Sequence, residues 1–328
     1  MTVDEWFDFW KNNIIKRLAR NTKRNYSERY IQNIKPVIGK MYVRDVLPVH
    51  CLKILNDMDV SSKYQVSTIQ QTYIAMGTMF RAAVNNRVIP KHPMDGINYS
   101  FPAKAKDDIK VMTIDEHRKF LEVAENSHNY RQYALILETG LRAGEMIGLT
   151  WDNVNFEKRT LTVEKTLEYI RENGTWEAGP PKTIAGYRTI PLTDCAYTIL
   201  KEVYDEKDTR KESEELSQTL PYKDKRDGTV KHFVMKDLVF INYRTGMPSK
   251  NSSYDTHLYK LCEKAKIKHF SMHALRHTFA TRAIERGVNP KALQVLLGHS
   301  SLKTTMDTYV HVTDDFKWAA MELFQKMA

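Results

Sequence analysis

The sequence lacks the features of a secreted, membrane-spanning or zinc-centred protein. Its cysteines, Cys51, Cys195 and Cys262, are odd in number and widely separated, without the paired spacing of a zinc site. No apolar run approaches the roughly 20 residues that a membrane-spanning helix needs. The start, MTVDEWFDFW, lacks the basic-then-apolar order of a signal peptide. We therefore expect a reduced, cytoplasmic protein with no membrane partner.

Acidic residues are scarce in the first third of the chain. Residues 1–106 contain 17 Lys and Arg against 8 Asp and Glu, whereas the remainder contains 33 against 32. This imbalance favours a polyanionic partner, usually nucleic acid, although many basic domains bind none. Five cations form what we call the basic cluster, for which we predict phosphate contacts, the alternative being a solvated face: Lys16, Arg17, Arg20, Lys23 and Arg24.

Hydrophobic periodicity and chain length predict two domains. The 328 residues exceed the usual size of one domain. Residues 1–100 show helical spacing of apolar residues with short breaks. Residues 101–109 are polar and non-periodic, which is typical of a linker. A capping box at Thr113–Glu116 then begins a second domain over residues 110–328.

The second domain is predicted to be mainly α with a small antiparallel β-sheet. Thr160–Val163 and residues 187–191 alternate like strands, and Lys182 falls near a hairpin tip between them. Residues 238–241 read as another short strand. The mixed-charge segment 205–237 predicts a flexible or partly helical insertion.

The side chains with most chemical potential lie in residues 270–312. Ser271 is a plausible helix cap, and His273, Arg276 and His277 follow at helical spacing on one face. We expect this helix to bury its other face and present the cationic one. A second helix is predicted to begin at Asn289-Pro290 and to stop at Gly298, just before His299. Tyr309 follows on a further short helix.

Metal binding is the first hypothesis for these histidines, and the neighbouring residues disfavour it. His273 and His277 are four residues apart, which is ligand spacing on a helix. However, Arg276 would repel a dication, and no carboxylate or cysteine stands ready as a third ligand. We predict no metal and no other cofactor.

Anion chemistry is the second reading. An arginine offers a planar fork of donors that suits a phosphate at any working pH. A tyrosine starts from a pKa of about 10, so cationic neighbours would help it to act as a nucleophile. A lysine could protonate a leaving alkoxide. From spacing alone, however, Tyr309 is better interpreted as an ordinary half-buried aromatic residue than as a nucleophile.

Four segments resemble the conserved boxes of the tyrosine recombinase (phage integrase) family. They are TGLRAGE at residues 139–145, HALRH at 273–277, LGH at 297–299 and Tyr309, and they occur in the family's order. The amino-acid sequence of these segments is most similar to that of integrases of conjugative transposons and related phages. The resemblance implies a helical core-binding domain and a catalytic domain that together form a clamp around DNA.

The resemblance also implies a role for each matching residue. Arg142 and Arg276 would clamp the scissile phosphate, His273 would assist proton removal, His299 would hydrogen-bond a non-bridging oxygen, Tyr309 would attack phosphorus, and Lys182 would protonate the leaving 5′-oxygen. Lys158 and Lys165 are alternatives for this last role. Glu145 and His277 are expected to support their neighbours.

Further expectations follow from the family. It implies a site-specific recombinase of a mobile element that needs neither ATP nor metal and works as a homo-tetramer on double-stranded DNA, with possible directionality or DNA-bending factors. A tail helix over residues 315–327 would dock in trans. Binding to distant arm sites is not predicted, because the sequence begins directly on the helix around Trp6–Ile14, so that an arm-binding N-terminal domain is either lacking or removed. Alternatives are a DNA invertase, a dimer-resolving recombinase or a type IB-like topoisomerase with the same chemistry, and a non-catalytic DNA-binding regulator.

Overall fold

The computed structural model describes residues 1–101 and 110–309. The chain divides into two compact units, Met1–Asp107 and Asp108–Ala328. Most of the predicted linker and the predicted tail helix over residues 315–327 lie outside the described residues.

The first unit is helical because its sequence supplies caps and aromatic residues at helical spacing. Thr2 and Glu5 form a capping box at its start, and Pro48 occupies the first turn of a later helix. Two π-helical turns, Trp10–Ile14 and Tyr30–Ile34, extend the first two helices. The helices are α1 (Val3–Phe9), α2 (Arg20–Arg29), α3 (Lys35–Ile38), α4 (Pro48–Val60) and α5 (Val66–Asn85).

Aromatic side chains form the core of this first unit. Trp6, Trp10 and Phe80 are almost completely buried. The rings of Phe7 and Tyr30 stack with their centroids 3.7 Å apart. These rings stabilise the unit by burial rather than offering platforms on which bases could stack.

The second unit consists of helices around three small antiparallel sheets. Its helices are α6 (Ile114–Ala124), α7 (Tyr130–Thr139), α8 (Ala143–Ile147), α9 (Asp194–Asp205), α10 (Asn251–Lys264), α11 (Met272–Glu285), α12 (Pro290–Leu297) and α13 (Leu302–Tyr309). Its strands are β1 (Val154–Asn155), β2 (Thr160–Val163), β3 (Thr166–Ile170), β4 (Thr175–Gly179), β5 (Arg188–Pro191), β6 (Thr219–Lys223) and β7 (Val230–Val234). The prediction of a mainly helical fold with a small antiparallel sheet is confirmed.

Helix α7 is the central element of the second unit, packing against α6, α8, α9 and α11. Strands β1, β2 and β5 form one sheet, with Leu161 opposite Ile190. Strands β3 and β4 pair separately, as do β6 and β7. The buried rings of Phe120, Tyr133 and Phe233 belong to one continuous core that joins the helices to the sheets.

Two local predictions were wrong, and a third was incomplete. Residues 205–237, predicted to be a flexible or partly helical insertion, contain the short 3₁₀ helices Lys207–Thr209 and Glu214–Ser217 and, in addition, the β6–β7 hairpin. Residues 238–241 do not form a strand; Leu238 makes a single antiparallel bridge to Thr150. Lys182 is not at a hairpin tip, because β4 ends at Gly179 and Lys182 lies in the connection from β4 to β5. The β3–β4 turn falls instead at Asn173-Gly174, where Gly174 has a φ of 70°.

Candidate active site

A buried carboxylate, Glu145, lies at the centre of the candidate site. Its Oε2 accepts a hydrogen bond from the Arg142 backbone N–H at 2.9 Å, which caps α8. Its Oε1 accepts from the Arg142 guanidinium at 2.7 Å. Arg188 donates to both carboxylate oxygens, at 3.1 and 2.8 Å. Because both Arg188 and Glu145 have side chains at most 2% exposed, this is a buried and fully formed ion pair.

The surrounding guanidiniums decide the charge of Glu145. Burial alone would raise its pKa, but Arg188, Arg142 and Arg276 outweigh burial and lower the pKa to about 2. Glu145 is therefore ionised at neutral pH. It balances part of the positive charge and fixes the position of Arg142.

Arg276 is buried rather than presented to solvent, contrary to our expectation for the cationic face of α11. It is 1% exposed, and it donates to the carbonyl oxygens of Gly140 and Leu297, each at 2.6 Å. Those carbonyls lie at the C-terminal ends of α7 and α12, where the helix dipole favours a cation. Gly140 and Gly298 both have a φ of 65°, so two left-handed glycine caps shape the pocket that holds this guanidinium.

The histidines gather beside these arginines. The Nδ1 of His299 lies 2.9 Å from the Oγ1 of Thr305, a residue of α13 that is fully buried. The rings of His273 and His277 meet edge to face with their centroids 4.4 Å apart. The predicted caps that set these positions, Ser271 and Asn289, both accept hydrogen bonds at the starts of their helices.

Burial and neighbouring positive charge lower the pKa of each of these histidines. The pKa of His277 falls to about 4 through burial first and then the charges of His273 and Arg276. The pKa of His299 also falls to about 4, through burial and then Arg276 and Arg142. For His273, whose ring keeps solvent access, desolvation comes first and Arg276 second. All three are neutral at pH 7, so each ring offers one hydrogen-bond donor and one acceptor without adding charge to the site.

These lowered pKa values predict a pH-dependent stability. In the unfolded chain a histidine has a pKa of about 6.5, so between pH 6.5 and 4 the unfolded state binds more protons than the folded one. Stability must then fall as the pH falls through this window. We expect the melting temperature of the DNA-free protein to drop from pH 7 to pH 5. The drop should be smaller in the His277→Gln, His299→Gln double variant; identical pH profiles would contradict the burial of these rings.

The three lysine candidates occupy different surroundings. Lys182 is exposed, and its positive charge is the last of the causes that lower the pKa of His273. The Nζ of Lys165 pairs with the Asp152 carboxylate at 2.9 Å, and this lysine side chain is 11% exposed. Lys158 is exposed in the turn between β1 and β2. Lys182 therefore keeps its place as the candidate acid, while Lys165 is held in an ion pair.

Position 309 ends helix α13, but the side chain of Tyr309 lies outside the described part of the structure. Helix α13 packs against α11 and α12. Thr305, one helical turn before position 309, contacts His299. The helix that carries the tyrosine thus has a fixed contact with the site, and the role of Tyr309 stays a prediction.

Arg188 is the residue of this network that the sequence did not single out. Besides Glu145, it donates to the carbonyl oxygens of Leu296, at 2.6 Å, and Gly186, at 3.0 Å. The available signal was its position in β5, where buried and exposed residues alternate and Arg188 shares the buried side with Ile190. A charged residue on the inward side of a strand needs a buried partner, and here that partner is Glu145.

The basic cluster belongs to the first unit. Lys16, Arg17 and Arg24 are exposed, whereas Arg20 and Lys23 are half-buried. The Nζ of Lys23 donates to the Lys16 carbonyl at 3.2 Å, and Arg24 lies 3.7 Å from Glu28. Three of the five are thus exposed at the surface, and the contact of the basic cluster with DNA stays a prediction.

Neither a metal-binding cluster nor a membrane-spanning helix occurs within the described residues. Within residues 1–101 and 110–309, His, Cys, Asp and Glu side chains nowhere gather in groups of three or more that could hold a metal ion. In those same ranges every helix is too short or too polar to cross a bilayer.

Known proteins resemble this chain along most of its length. The transposase from transposon Tn916 of Enterococcus faecalis is 30% identical over 276 residues, covering 80% of this chain and 63% of that protein. The chain thus spans just under two thirds of that relative. A structure of the Tn1549 transposon integrase in complex with transposon right end DNA matches with a TM-score of 0.79, at 24% identity over 98% of this chain and 99% of that chain. A lambda integrase tetramer bound to a Holliday junction matches with a TM-score of 0.64, at 18% identity over 94% and 78%.

The two structural matches show the fold of the chain, and the matches to sequence families show which protein family it belongs to. Residues 2–58 match the N-terminal SAM-like domain of phage integrases. Residues 110–315, more than half of the chain, match the phage integrase family and contain all four segments noted in the sequence. The chain belongs to the phage integrase family, that of the tyrosine recombinases.

Proposed function

We propose that this chain is a site-specific DNA recombinase of a mobile element. It cuts and rejoins DNA during integration and excision through a 3′-phosphotyrosyl intermediate. The observation that carries the proposal is the buried Glu145 carboxylate, which holds Arg142 at 2.7 Å and lies 4.0 Å from Arg276. Two guanidiniums held in fixed positions beside neutral histidines suit a phosphodiester. The similarity to a transposon Tn916 transposase supports the assignment to a mobile element.

Phosphate binding falls to the arginines in this mechanism. Arg142 has a side chain that is 28% exposed, so it can reach a phosphate from the surface. Arg276 is buried, and it would bind the phosphate from the buried side of the site. Negative charge grows on the non-bridging oxygens as the nucleophile attacks. Preorganised donors at those oxygens are typically worth about 10²–10³ in rate each. His299 adds a neutral N–H donor whose ring is oriented by Thr305.

Two proton transfers accompany strand cleavage. Neutral His273 assists removal of the proton from the Tyr309 hydroxyl as its oxygen forms a bond to phosphorus. The bond from phosphorus to the 5′-oxygen breaks, and the Lys182 ammonium gives that oxygen a proton. The phosphotyrosyl ester conserves the energy of the broken bond, so the reverse attack by a 5′-hydroxyl rejoins the strand without ATP.

The proposed partner is double-stranded DNA held by both units. Contacts from Lys16, Arg17 and Arg24 in the first unit would neutralise phosphates, so affinity should fall as salt rises. We assign a homo-tetramer on DNA as the working assembly, by analogy with the lambda integrase tetramer on a Holliday junction. Residues 315–327 would dock on a neighbouring subunit, and directionality or bending factors would complete the assembly.

Covalent trapping tests this function. The protein is incubated with nicked, end-labelled DNA that carries candidate element ends, in the presence of a chelator, and then denatured with detergent. A recombinase produces a labelled band that survives detergent and disappears with protease. A DNA-binding regulator would retard the same DNA in a native gel yet give no covalent band, and a metal-dependent nuclease would be silent under chelation.

A further inference from the structure

The β6–β7 hairpin has a turn built for a defined conformation. Tyr222 pairs with Lys231, and Gly228 in the turn has a φ of 74°, which glycine adopts without strain. The Asp224 backbone N–H donates to the Thr229 carbonyl at 2.9 Å and closes the turn. The end of this hairpin is therefore a fixed platform.

Asp224 joins this turn to the connection between β4 and β5. Its side chain is buried, and its carboxylate accepts hydrogen bonds at 2.8 Å from Arg226, Lys231 and the hydroxyl of Tyr187. The hydrogen bond from Arg226 is the first cause of a strongly lowered pKa of Asp224. The ionised carboxylate thus anchors Tyr187, which lies at the end of the connection.

Lys225 holds the beginning of the same connection. Its Nζ donates to the carbonyl oxygens of Pro181, at 2.9 Å, and Lys182, at 2.7 Å. Its backbone N–H donates to the Tyr187 hydroxyl at 3.0 Å. The turn of the hairpin therefore grips both ends of residues 181–187, the segment that carries Lys182.

The connection itself is tightly folded. A Cβ built at Gly186 would lie 2.6 Å from the Cβ of Pro181, so the two ends of the segment touch. The Lys182 side chain is exposed and has four rotatable bonds, so its direction depends on how firmly its backbone is held. The hydrogen bond from Lys225 to the Lys182 carbonyl restricts the position of the Lys182 backbone, and therefore the point from which its side chain extends.

We propose that the β6–β7 hairpin, through Lys225 and Asp224, positions Lys182 for proton donation to the leaving 5′-oxygen. Lys225 is a positioning residue: its ammonium is directed to backbone carbonyls, while the transferred proton comes from Lys182. The inference rests on the proposed function, because it assumes that Lys182 is the acid. It gives the 205–237 segment a task inside the catalytic unit.

The test compares two leaving groups on nicked DNA. In one substrate the scissile phosphate carries the normal 5′-oxygen; in the other, sulfur replaces that bridging atom. A thiolate leaves without protonation, so a defect in acid delivery should vanish on the sulfur substrate. For Lys225→Met we expect cleavage of the oxygen substrate to slow by about 10- to 100-fold, since a misplacement of roughly 1 Å can cost about 10². The sulfur substrate should be cleaved within about twofold of the wild-type rate, and DNA affinity should not change.

Three variants make the result specific. Lys182→Met should show the same dependence on the leaving group with a larger loss. Lys225→Arg should recover most of the rate, because a guanidinium can donate to the same carbonyls but stays protonated and cannot act as the acid. Lys223→Met, in the exposed part of β6, should behave like the wild type.

Each contrary outcome has a distinct meaning. Wild-type rates for Lys225→Met, or equal losses on both substrates, would overturn the positioning role. A Lys225→Arg variant as slow as Lys225→Met would also overturn it, because a cationic donor at this position would then not be enough to position Lys182. Equal losses of Lys182→Met on both substrates would instead remove Lys182 from the proposed mechanism. If Lys225→Met has a much lower melting temperature than the wild type, Tyr187→Phe supplies the second test. This change removes the hydrogen bonds of the Tyr187 hydroxyl to Asp224 and to the Lys225 N–H. It should slow cleavage of the oxygen substrate and leave cleavage of the sulfur substrate nearly unchanged.

Discussion

Replacing Tyr309 with phenylalanine should abolish the covalent DNA adduct and leave DNA binding within about twofold. The substitution removes one oxygen atom, the proposed nucleophile, and keeps the ring. The arginines that would bind the phosphate, Arg142 and Arg276, are held by Glu145 and by helix-end carbonyls, so their positions do not depend on the phenol oxygen. Adduct formation on nicked DNA and gel retardation of the same DNA measure the two properties side by side.

Tyr243→Phe is a matched control for this variant. Tyr243 is exposed in the second unit, where its ring packs against His128 and its hydroxyl accepts a hydrogen bond from Arg244, so the change removes an equivalent phenol oxygen from another place in the same unit. It should form the adduct at the wild-type rate. A covalent band of normal intensity from Tyr309→Phe would remove Tyr309 as the nucleophile.

Glu145→Gln should be the most destabilising of the substitutions considered, although it barely changes the volume. The neutral amide leaves the guanidiniums of Arg142, Arg188 and Arg276 without a negatively charged partner. Its NH₂ group is also a hydrogen-bond donor, and it would face the N–H donors of these guanidiniums. Breaking a buried ion pair by neutralising one partner costs about 3–5 kcal/mol. At about 2–4 °C per kcal/mol for a domain of this size, the melting temperature should fall by roughly 6–20 °C.

An exposed ion pair offers the comparison for Glu145. Lys201 and Asp205 pair at 2.8 Å on the surface of α9, with side chains 46% and 59% exposed. Such pairs contribute roughly 0.3–0.5 kcal/mol, so Asp205→Asn should lower the melting temperature by at most about 2 °C. If Glu145→Gln is equally mild, the carboxylate does not organise the site. Cleavage by Glu145→Gln should also slow on both the oxygen and the sulfur substrate, because the phosphate clamp is lost rather than the acid.

Local chemistry made much of this molecule predictable from its sequence. Ser271 and Asn289 cap helices, and Gly298 ends one in a left-handed conformation, because each depends on neighbours a few residues away. Thr113 and Glu116 form their capping box for the same reason. Four short segments in one order then sufficed to predict the family.

Long-range pairing was beyond the sequence pattern. Arg276 looked like part of an exposed cationic face, yet it is buried because two helix ends distant in the chain, at Gly140 and Leu297, offer it carbonyls. Arg188 finds Glu145 across 43 residues, which no periodicity could indicate. Such contacts arise only once the chain has folded.

The β6–β7 hairpin was missed for a different reason. Its sequence contains Asp227-Gly228, a dipeptide favoured in tight hairpin turns. High charge density hid that signal, since mixed charges usually indicate a solvated segment. Here the carboxylate of Asp224 forms ion pairs with Arg226 and Lys231, and these ion pairs fix the turn beside Lys182.

Mapping the covalent bond between protein and DNA tests the proposed chemistry most directly. The adduct would be formed on nicked DNA in a chelator, digested with protease and nuclease, and analysed by mass spectrometry. We predict a nucleotide attached through its 3′-phosphate to the peptide that contains Tyr309, with a free 5′-hydroxyl on the released strand. A 5′-phosphate linkage, or attachment to any other side chain, would contradict the assignment of Tyr309 as the nucleophile served by Arg142, Arg276 and His299.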